Sequence, residues 1–242
     1  MMSLKKGQYF IVATGTDAGK TFLLSEICKK LRAQNITCDA IKPVASGFSN
    51  DDMQSDSAKI LQSLGREFSI KNVENITPWR FNAALAPSIA AKIENHEINF
   101  NDLQNFCRNK ILQLQNSVST AEIIANNDII ENVYSDAKKV DFFFIEGAGG
   151  LMTPLSQDKT FLDLVTAIKI PVILLAQNYL GAISHTLCTV EALRSRAVAI
   201  ERIIINDHQN QNQEVKISDT IAEIAKLSGV DTVALEDFLN NL

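Results

Sequence analysis

Lys20 and Thr21 stand where an apolar run turns into a helical pattern, the placement that a phosphate-binding site requires. The run Phe10-Ile11-Val12-Ala13 ends in Thr14-Gly15-Thr16-Asp17-Ala18-Gly19, and a helix-like stretch continues over 22–31. Turn N–H groups and a helix N-terminus aim at an anion. Lys20 can reach the outer phosphates of a nucleotide, and the Thr21 hydroxyl can bind Mg²⁺. The strict phosphate-loop pattern needs Gly at position 14, where this chain has Thr14, and Gly15 comes one place late. The alternative is an ordinary strand-to-helix turn with a surface lysine. The position of Gly19-Lys20-Thr21 at the junction favours the phosphate site.

Glu146 closes the apolar run Phe142-Phe143-Phe144-Ile145 and opens Gly147-Ala148-Gly149-Gly150. An acid at such a strand end holds or orients Mg²⁺ beside a phosphate loop. Three glycines in four residues suit a backbone that lies close to a ligand. Lys42-Pro43-Val44-Ala45-Ser46-Gly47 follows a second short strand and reads as a shaped loop. Ligands of open α/β sheets bind at the carboxyl ends of strands, which brings Lys42 and Ser46 near the phosphate loop. Asp51, Asp52 and Asp56 cluster just beyond. Asp56 can cap the helix that follows it or serve a metal, and the sequence leaves both open. Asn206-Asp207 ends another strand and is either a polar turn or a hydrogen-bonding edge for a nucleobase. His96, His185 and His208 share no spacing that suits metal ligation.

These residues need strands to carry them. Apolar runs over 9–13, 37–41, 140–145, 171–176 and 202–205 alternate with helical spacing over 22–31, 56–64, 183–193 and 217–227. In 22–31 the apolar face is read as Phe22, Leu23, Leu24, Ile27 and Leu31. Stretches 85–94 and 103–114 also read as helices, and 116–136 as a further helix with polar joints. This βαβ rhythm predicts a three-layer α/β fold of the phosphate-loop type, a mostly parallel sheet flanked by helices with right-handed crossovers. Without a repeat or an interdomain linker, residues 1–242 read as a single domain.

Composition agrees with a globular fold: 46% hydrophobic and 21% charged residues are enough to build a core without disorder. A net charge of −5 argues against a nucleic-acid or anionic-membrane surface. No apolar run is long enough to span a bilayer, and residues 1–8 carry no signal-peptide core. Cys28, Cys38, Cys107 and Cys188 are scattered, which predicts buried reduced thiols in a cytoplasmic protein rather than a zinc site.

Taken together the motifs resemble dethiobiotin synthetase, the ATP-dependent ring-closing enzyme of biotin synthesis. The resemblance runs from Phe10 to about Asp207. It is carried by Gly15-Thr16-Asp17-Ala18-Gly19-Lys20-Thr21, Lys42 to Gly47, Ser55-Asp56-Ser57-Ala58, Glu146 to Gly150 and Asn206-Asp207. Thr153-Pro154-Leu155 and Leu180-Gly181-Ala182-Ile183-Ser184-His185 match less sharply. The resemblance implies that Thr16, Asp17, Ala18, Gly19, Lys20 and Thr21 line the ATP phosphates, with Thr16, Lys20 and Lys42 catalytic. It implies Mg²⁺ among Thr21, Asp56 and Glu146. It also implies nucleotide contacts from Gly147, Ala148, Gly149, Asn206 and Asp207, the last two facing adenine. Ser46, Gly149 and Gly150 would meet the diamine substrate, with Leu180 and Gly181 reaching it from the partner in a homodimer. The implied reaction joins 7,8-diaminononanoate and CO₂ at the expense of ATP, through a carbamate and its phosphoric anhydride, to give dethiobiotin, ADP and phosphate. Ala13 and Asp17 stand where the family has Gly and Glu, 116–136 is an added length, and the stretch after Asp231 lacks the family's Pro-containing adenine contact, leaving Ala234 and Leu235 as candidates.

Two other families share this fold. Partition and septum-site ATPases carry an extra lysine early in the loop, and here no lysine precedes Lys20 within it. Glutamine-dependent amidating ligases of cobalamin synthesis add a glutaminase domain, for which the stretch from Asp207 to Leu242 is too short.

Overall fold

The computed structural model describes residues 4–49, 52–115, 139–207 and 215–242. Asp51, His208 and the added length over 116–136 lie outside the described residues. The strands are β1 (Gly7–Ala13), β2 (Cys38–Ile41), β3 (Val44–Ser46), β4 (Trp79–Phe81), β5 (Phe142–Glu146), β6 (Val172–Gln177), β7 (Ile200–Asn206) and β8 (Thr232–Ala234). The helices are α1 (Lys20–Ala33), α2 (Asp56–Ser63), α3 (Ile70–Ile76), α4 (Pro87–Ile93), α5 (Phe100–Gln115), α6 (Phe161–Ile168), α7 (Ala182–Ser195), α8 (Ile217–Ser228) and α9 (Leu235–Asn240).

Six strands form one sheet in the order β2-β5-β1-β6-β7-β8, and every neighbouring pair is parallel. Parallel strands are covered on both faces by their crossover helices, so they read as continuous apolar runs. β5 is the plainest case, with all five residues buried. The core is continuous with it through Phe10, Ile11, Ile173, Leu174, Ile203 and Ile204. β1 lies centrally, in register with β5 from Gly7↔Phe142 to Ile11↔Glu146. β5 therefore ends two residues short of the end of β1. The glycine run after Glu146 continues along those two residues: Gly147 N–H donates to Ile11 O at 3.0 Å and Leu151 N–H to Ala13 O at 2.9 Å.

Helix α1 buries Leu23, Leu24, Ile27, Cys28 and Leu31, a stripe at helical spacing, against β1, β2 and β5. Phe22 was expected on that stripe and is instead 55% exposed. It precedes Leu23 by one residue and so falls about 100° off the buried side.

The stretch after Lys42 is more regular than a loop. β3 pairs in parallel with β4, Val44 opposite Trp79 and Ser46 opposite Phe81. Lys42 N–H also donates to Ile76 O at 3.1 Å. Three residues are too few for a periodic signal, so this second sheet leaves no trace in the pattern.

Of the four cysteines, Cys28 and Cys107 are buried and Cys38 partly so, whereas Cys188 is exposed on α7, against the expectation of buried thiols throughout. Among the described residues no helix is long and apolar enough to cross a membrane.

Candidate active site

The carboxyl ends of β1, β2, β5, β6 and β7 deliver the candidate residues to one edge of the sheet. The loop after β1 is braced from β6 and β7. Gln177 Nε2 donates to Asp17 O at 3.1 Å, and Asn206 Nδ2 donates to Ala18 O at 2.9 Å. Gly19 adopts φ +98°, and a Cβ there would lie 2.8 Å from Asn206 Nδ2. Only glycine meets both conditions, which explains its place before Lys20. Thr16 and Asp17 are exposed at the loop's crest, and Ala18 is buried beneath them.

Lys20 opens α1 and is itself buried. Its Nζ donates to Gly149 O at 2.6 Å. Burial pushes its amine down to about 8, against the pull of Glu146. A buried lysine whose partner is a neutral carbonyl gains more from an arriving phosphate than a solvated one would.

Glu146 is fully buried at the end of β5 and gathers the remaining groups. Thr21 Oγ1 donates to Glu146 Oε1 at 2.6 Å, and Lys42 Nζ donates to the same oxygen at 2.7 Å. Lys42 Nζ also donates to Asp56 Oδ2. Burial alone would lower Lys42, but the charges of Glu146 and Asp56 outweigh it and hold its ammonium above the usual lysine value. Burial likewise works to raise Asp56, and Lys42 prevails, keeping that carboxyl below the usual range. Asp56 is not the helix cap. Ser55 takes that role, its Oγ accepting from Ala58 N–H at 3.3 Å, while Asp56 begins α2 with its side chain 45% exposed.

The donors around Glu146 fit a magnesium ion. Thr21, Asp56 and Glu146 offer only hard oxygens, and Mg²⁺ prefers such ligands. Glu146 Oε2 is buried without a hydrogen-bond partner, a costly state that a cation would relieve. The Lys42 ammonium between the two carboxylates already marks the spot as favourable to positive charge. Among the described residues no group of three or more His, Cys, Asp or Glu side chains could hold a metal alone. The ion would need phosphate and water oxygens as well, as nucleotide-associated Mg²⁺ commonly does.

Ser46 ends β3 on the far side of Lys42. Its Oγ is sequestered without a partner and lines a pocket with Gly47, Asp52, Ser55 and Asp56. The carboxylates there would attract an amine. Leu180 and Gly181 do not join this cluster within the chain. Leu180 is 81% exposed at the start of α7, and a Cβ on Gly181 would meet nothing within 4 Å.

Gly150 shows how closely the glycine run meets the phosphate loop. A Cβ there would lie 3.0 Å from Thr14 O and 3.2 Å from Gly15 Cα. Both are backbone atoms and cannot swing aside. Gly150→Ala is expected to push the loop off its position, weakening ATP binding about tenfold and costing about 1–3 kcal/mol of stability, the usual range for overpacking. Calorimetric titration with a non-hydrolysable ATP analogue, with urea unfolding alongside, measures both; unchanged values would mean the loop yields freely.

Two residues that brace this site, Gln177 and Asn178, are not among those picked out from the sequence. Gln177 ends β6 just as Glu146 ends β5, so the same strand-end rule applies to it, and Asn178 follows directly after the strand. Thr153 Oγ1 accepts from Gly150 N–H at 2.9 Å and fixes the turn of the glycine run.

A family model described as an AAA domain matches residues 7–235. The ATP-dependent dethiobiotin synthetase of Phenylobacterium zucineum (strain HLK1) is 35% identical over 82% of this chain and 75% of its own length. That of Acidiphilium cryptum (strain JF-5) is 36% identical over 82% of this chain and 78% of its own. Among solved structures, a chain of the MinC:MinD cell division protein complex of Aquifex aeolicus superposes with a TM-score of 0.50 at 13% identity, covering 97% of this chain and 85% of that one. That last likeness is one of fold.

Proposed function

The chain belongs to the ATP-dependent dethiobiotin synthetase family, and on that footing we propose that the Lys20–Lys42–Glu146 cluster is where its ring closure takes place. It is an ATP-dependent ligase of biotin biosynthesis acting on small molecules, with a nucleotide-associated metal. The observation that carries the assignment is the Lys42 ammonium held between Asp56 and Glu146 beside the phosphate loop.

In this reading one amine of 7,8-diaminononanoate takes up CO₂ as a carbamate. A carbamate oxygen attacks the γ-phosphorus of ATP, the bond to the β-phosphate oxygen breaks, and ADP leaves. The second amine then attacks the carbonyl of the mixed anhydride, closing the ureido ring and expelling phosphate. Thr16, Asp17, Ala18, Gly19, Lys20 and Thr21 enclose the phosphates, and Lys20 neutralises charge on the transferring group. Lys42 does the same for the carbamate, and Ser46 contacts the diamine in the adjoining pocket. Gly147, Ala148, Gly149 and Gly150 let substrate and nucleotide come close to the backbone. Asn206 and Asp207 face the base. Mg²⁺ bound by Thr21, Asp56 and Glu146 would bring charge neutralisation to the phosphates. The protein's share is positioning and fixed charge, and neither lysine has to act as a base.

The direct test is incubation with diaminononanoate, ¹³C-bicarbonate and MgATP, followed by mass spectrometry. The expected product carries one labelled carbonyl carbon in a closed ring. Its absence from a folded, ATP-binding preparation overturns the assignment.

Residues 1–242 act in this reading as one domain, in the cytoplasm, assembled as a homodimer. The exposed Leu180-Gly181 turn supports the dimer, because it stands idle in one chain and in a two-fold pair acts twice. A change at Gly181, with φ +102°, would strain the turn itself. Leu180→Glu is the cleaner variant. It is expected to raise KM for the diamine about tenfold with ATP binding unchanged. Sedimentation showing a monomer of full activity would mean that the pocket is complete in one chain.

A further inference from the structure

Asn178 ends up inside the protein with its backbone N–H and both ends of its side-chain amide engaged, in a place the ring-closing chemistry does not use. It is 2% exposed just past the end of β6. Its N–H donates to Asn206 O at 2.8 Å. Its amide nitrogen donates to Asp207 Oδ1 at 2.7 Å and to Val215 O at 2.9 Å, and its amide oxygen accepts from Thr220 Oγ1 at 2.7 Å. One side chain thus ties the end of β7 to the approach to α8 and to the helix itself.

A buried amide satisfied on all sides is a rigid fixture, since each lost bond would leave a desolvated group. What it fixes is an exposed carboxylate. Asn206 already spends an amide N–H on Ala18 O, bracing the phosphate loop. Asp207 is the neighbouring group turned to solvent, and a carboxylate is acceptor-only. An acceptor held at a fixed point beside a phosphate loop is suited to the exocyclic amine of a nucleobase.

We propose that Asn178 is a positioning residue for base recognition: it orients the Asp207 carboxylate to accept a hydrogen bond from the amino group of the ATP base. The proposal rests on the reading that Asn206 and Asp207 face the base. Through its N–H to Asn206 O, the same residue keeps the base-facing strand end in step with the braced loop.

The test compares ATP with purine riboside triphosphate, which lacks the amino group, and with inorganic triphosphate, which has no base. The native enzyme is expected to favour ATP over the amino-less analogue by about tenfold in kcat/KM, the worth of one hydrogen bond to a charged acceptor. Asn178→Ala should lower that preference to about twofold through KM for ATP. The kcat, KM for diaminononanoate and binding of inorganic triphosphate should hold. Asp207→Ala should do the same, and the double variant should be no worse than Asp207→Ala, because the two act as a unit.

If Asp207→Ala leaves the preference intact, the base reading itself fails and the proposal with it. If Asp207→Ala removes the preference but Asn178→Ala keeps it, the base reading stands and the role of Asn178 is overturned. A loss in Asn178→Ala that falls equally on inorganic triphosphate and the diamine also overturns it, as a general structural defect. Should Asn178→Ala not fold, Thr220→Val removes the hydroxyl that anchors the amide, and the same comparisons decide.

Discussion

Lys42→Ala lowers kcat about a hundredfold or more, while affinity for ATP stays within about threefold; one well-placed charge donor is worth ~3 kcal/mol in such a site. The split follows from where the ammonium lies. Lys20, not Lys42, opens the helix that follows the phosphate loop, and its Nζ sits on Gly149 O. Lys42 comes from the end of β2 and contacts Glu146 and Asp56, toward the pocket that Ser46 lines. In the proposed account its removal takes charge stabilisation from the carbamate and leaves the loop contacts in place. The same change leaves Glu146 buried without its ammonium partner, and breaking a buried pair costs about 3–5 kcal/mol. The free variant should therefore melt lower, and Mg²⁺ with ATP should recover part of the loss. Steady-state kinetics, calorimetric titration with an ATP analogue and thermal melts give the three readings. A variant of near-native kcat would reduce Lys42 to a structural counter-charge.

Glu146→Gln has the second large effect, of a different kind. The substitution keeps shape and removes charge. Thr21 Oγ1 and Lys42 Nζ can still donate to the remaining oxygen, so the fold should hold. The group lost is the anionic carboxylate whose Oε2 lies buried and unpartnered. Activity at millimolar Mg²⁺ is expected to fall about a hundredfold, as for a metal-site ligand whose support is removed, and to recover partly as Mg²⁺ is raised. Titrating free Mg²⁺ at fixed ATP reads this directly. An unchanged Mg²⁺ dependence would confine Glu146 to holding Lys42 and Thr21 in place.

Both residues could be picked from the chain because strand ends in a parallel sheet converge, whatever the loops between them do. Buried strands such as Phe142–Glu146 announce themselves as apolar runs, and a charged residue closing such a run stands out. The second sheet is a different matter. Val44–Ser46 and Trp79–Phe81 meet across more than thirty positions, and strands of three residues leave no period to read. Phe22 differs from its expected place because a phenylalanine one position from a buried stripe looks like part of it until the helix phase is known. Asn178 was overlooked for a third reason. Its value comes from partners at Asn206, Asp207, Val215 and Thr220, and no spacing in the chain predicts that convergence. The sequence allows Asp56 to be a helix cap or a metal ligand, and the geometry removes the first option, since Ser55 caps the helix.

The central claim is that ATP is spent only when the diamine is present to receive the carbamate and close the ring. The measurement is ADP release by the native enzyme with MgATP and bicarbonate, with and without diaminononanoate. Release should be near background without the diamine, and should rise at least about a hundredfold when it is added, one ADP for each ring closed. Equal release in the two conditions would contradict the account and leave a phosphate-loop ATPase whose Lys42 and Glu146 serve some other acceptor.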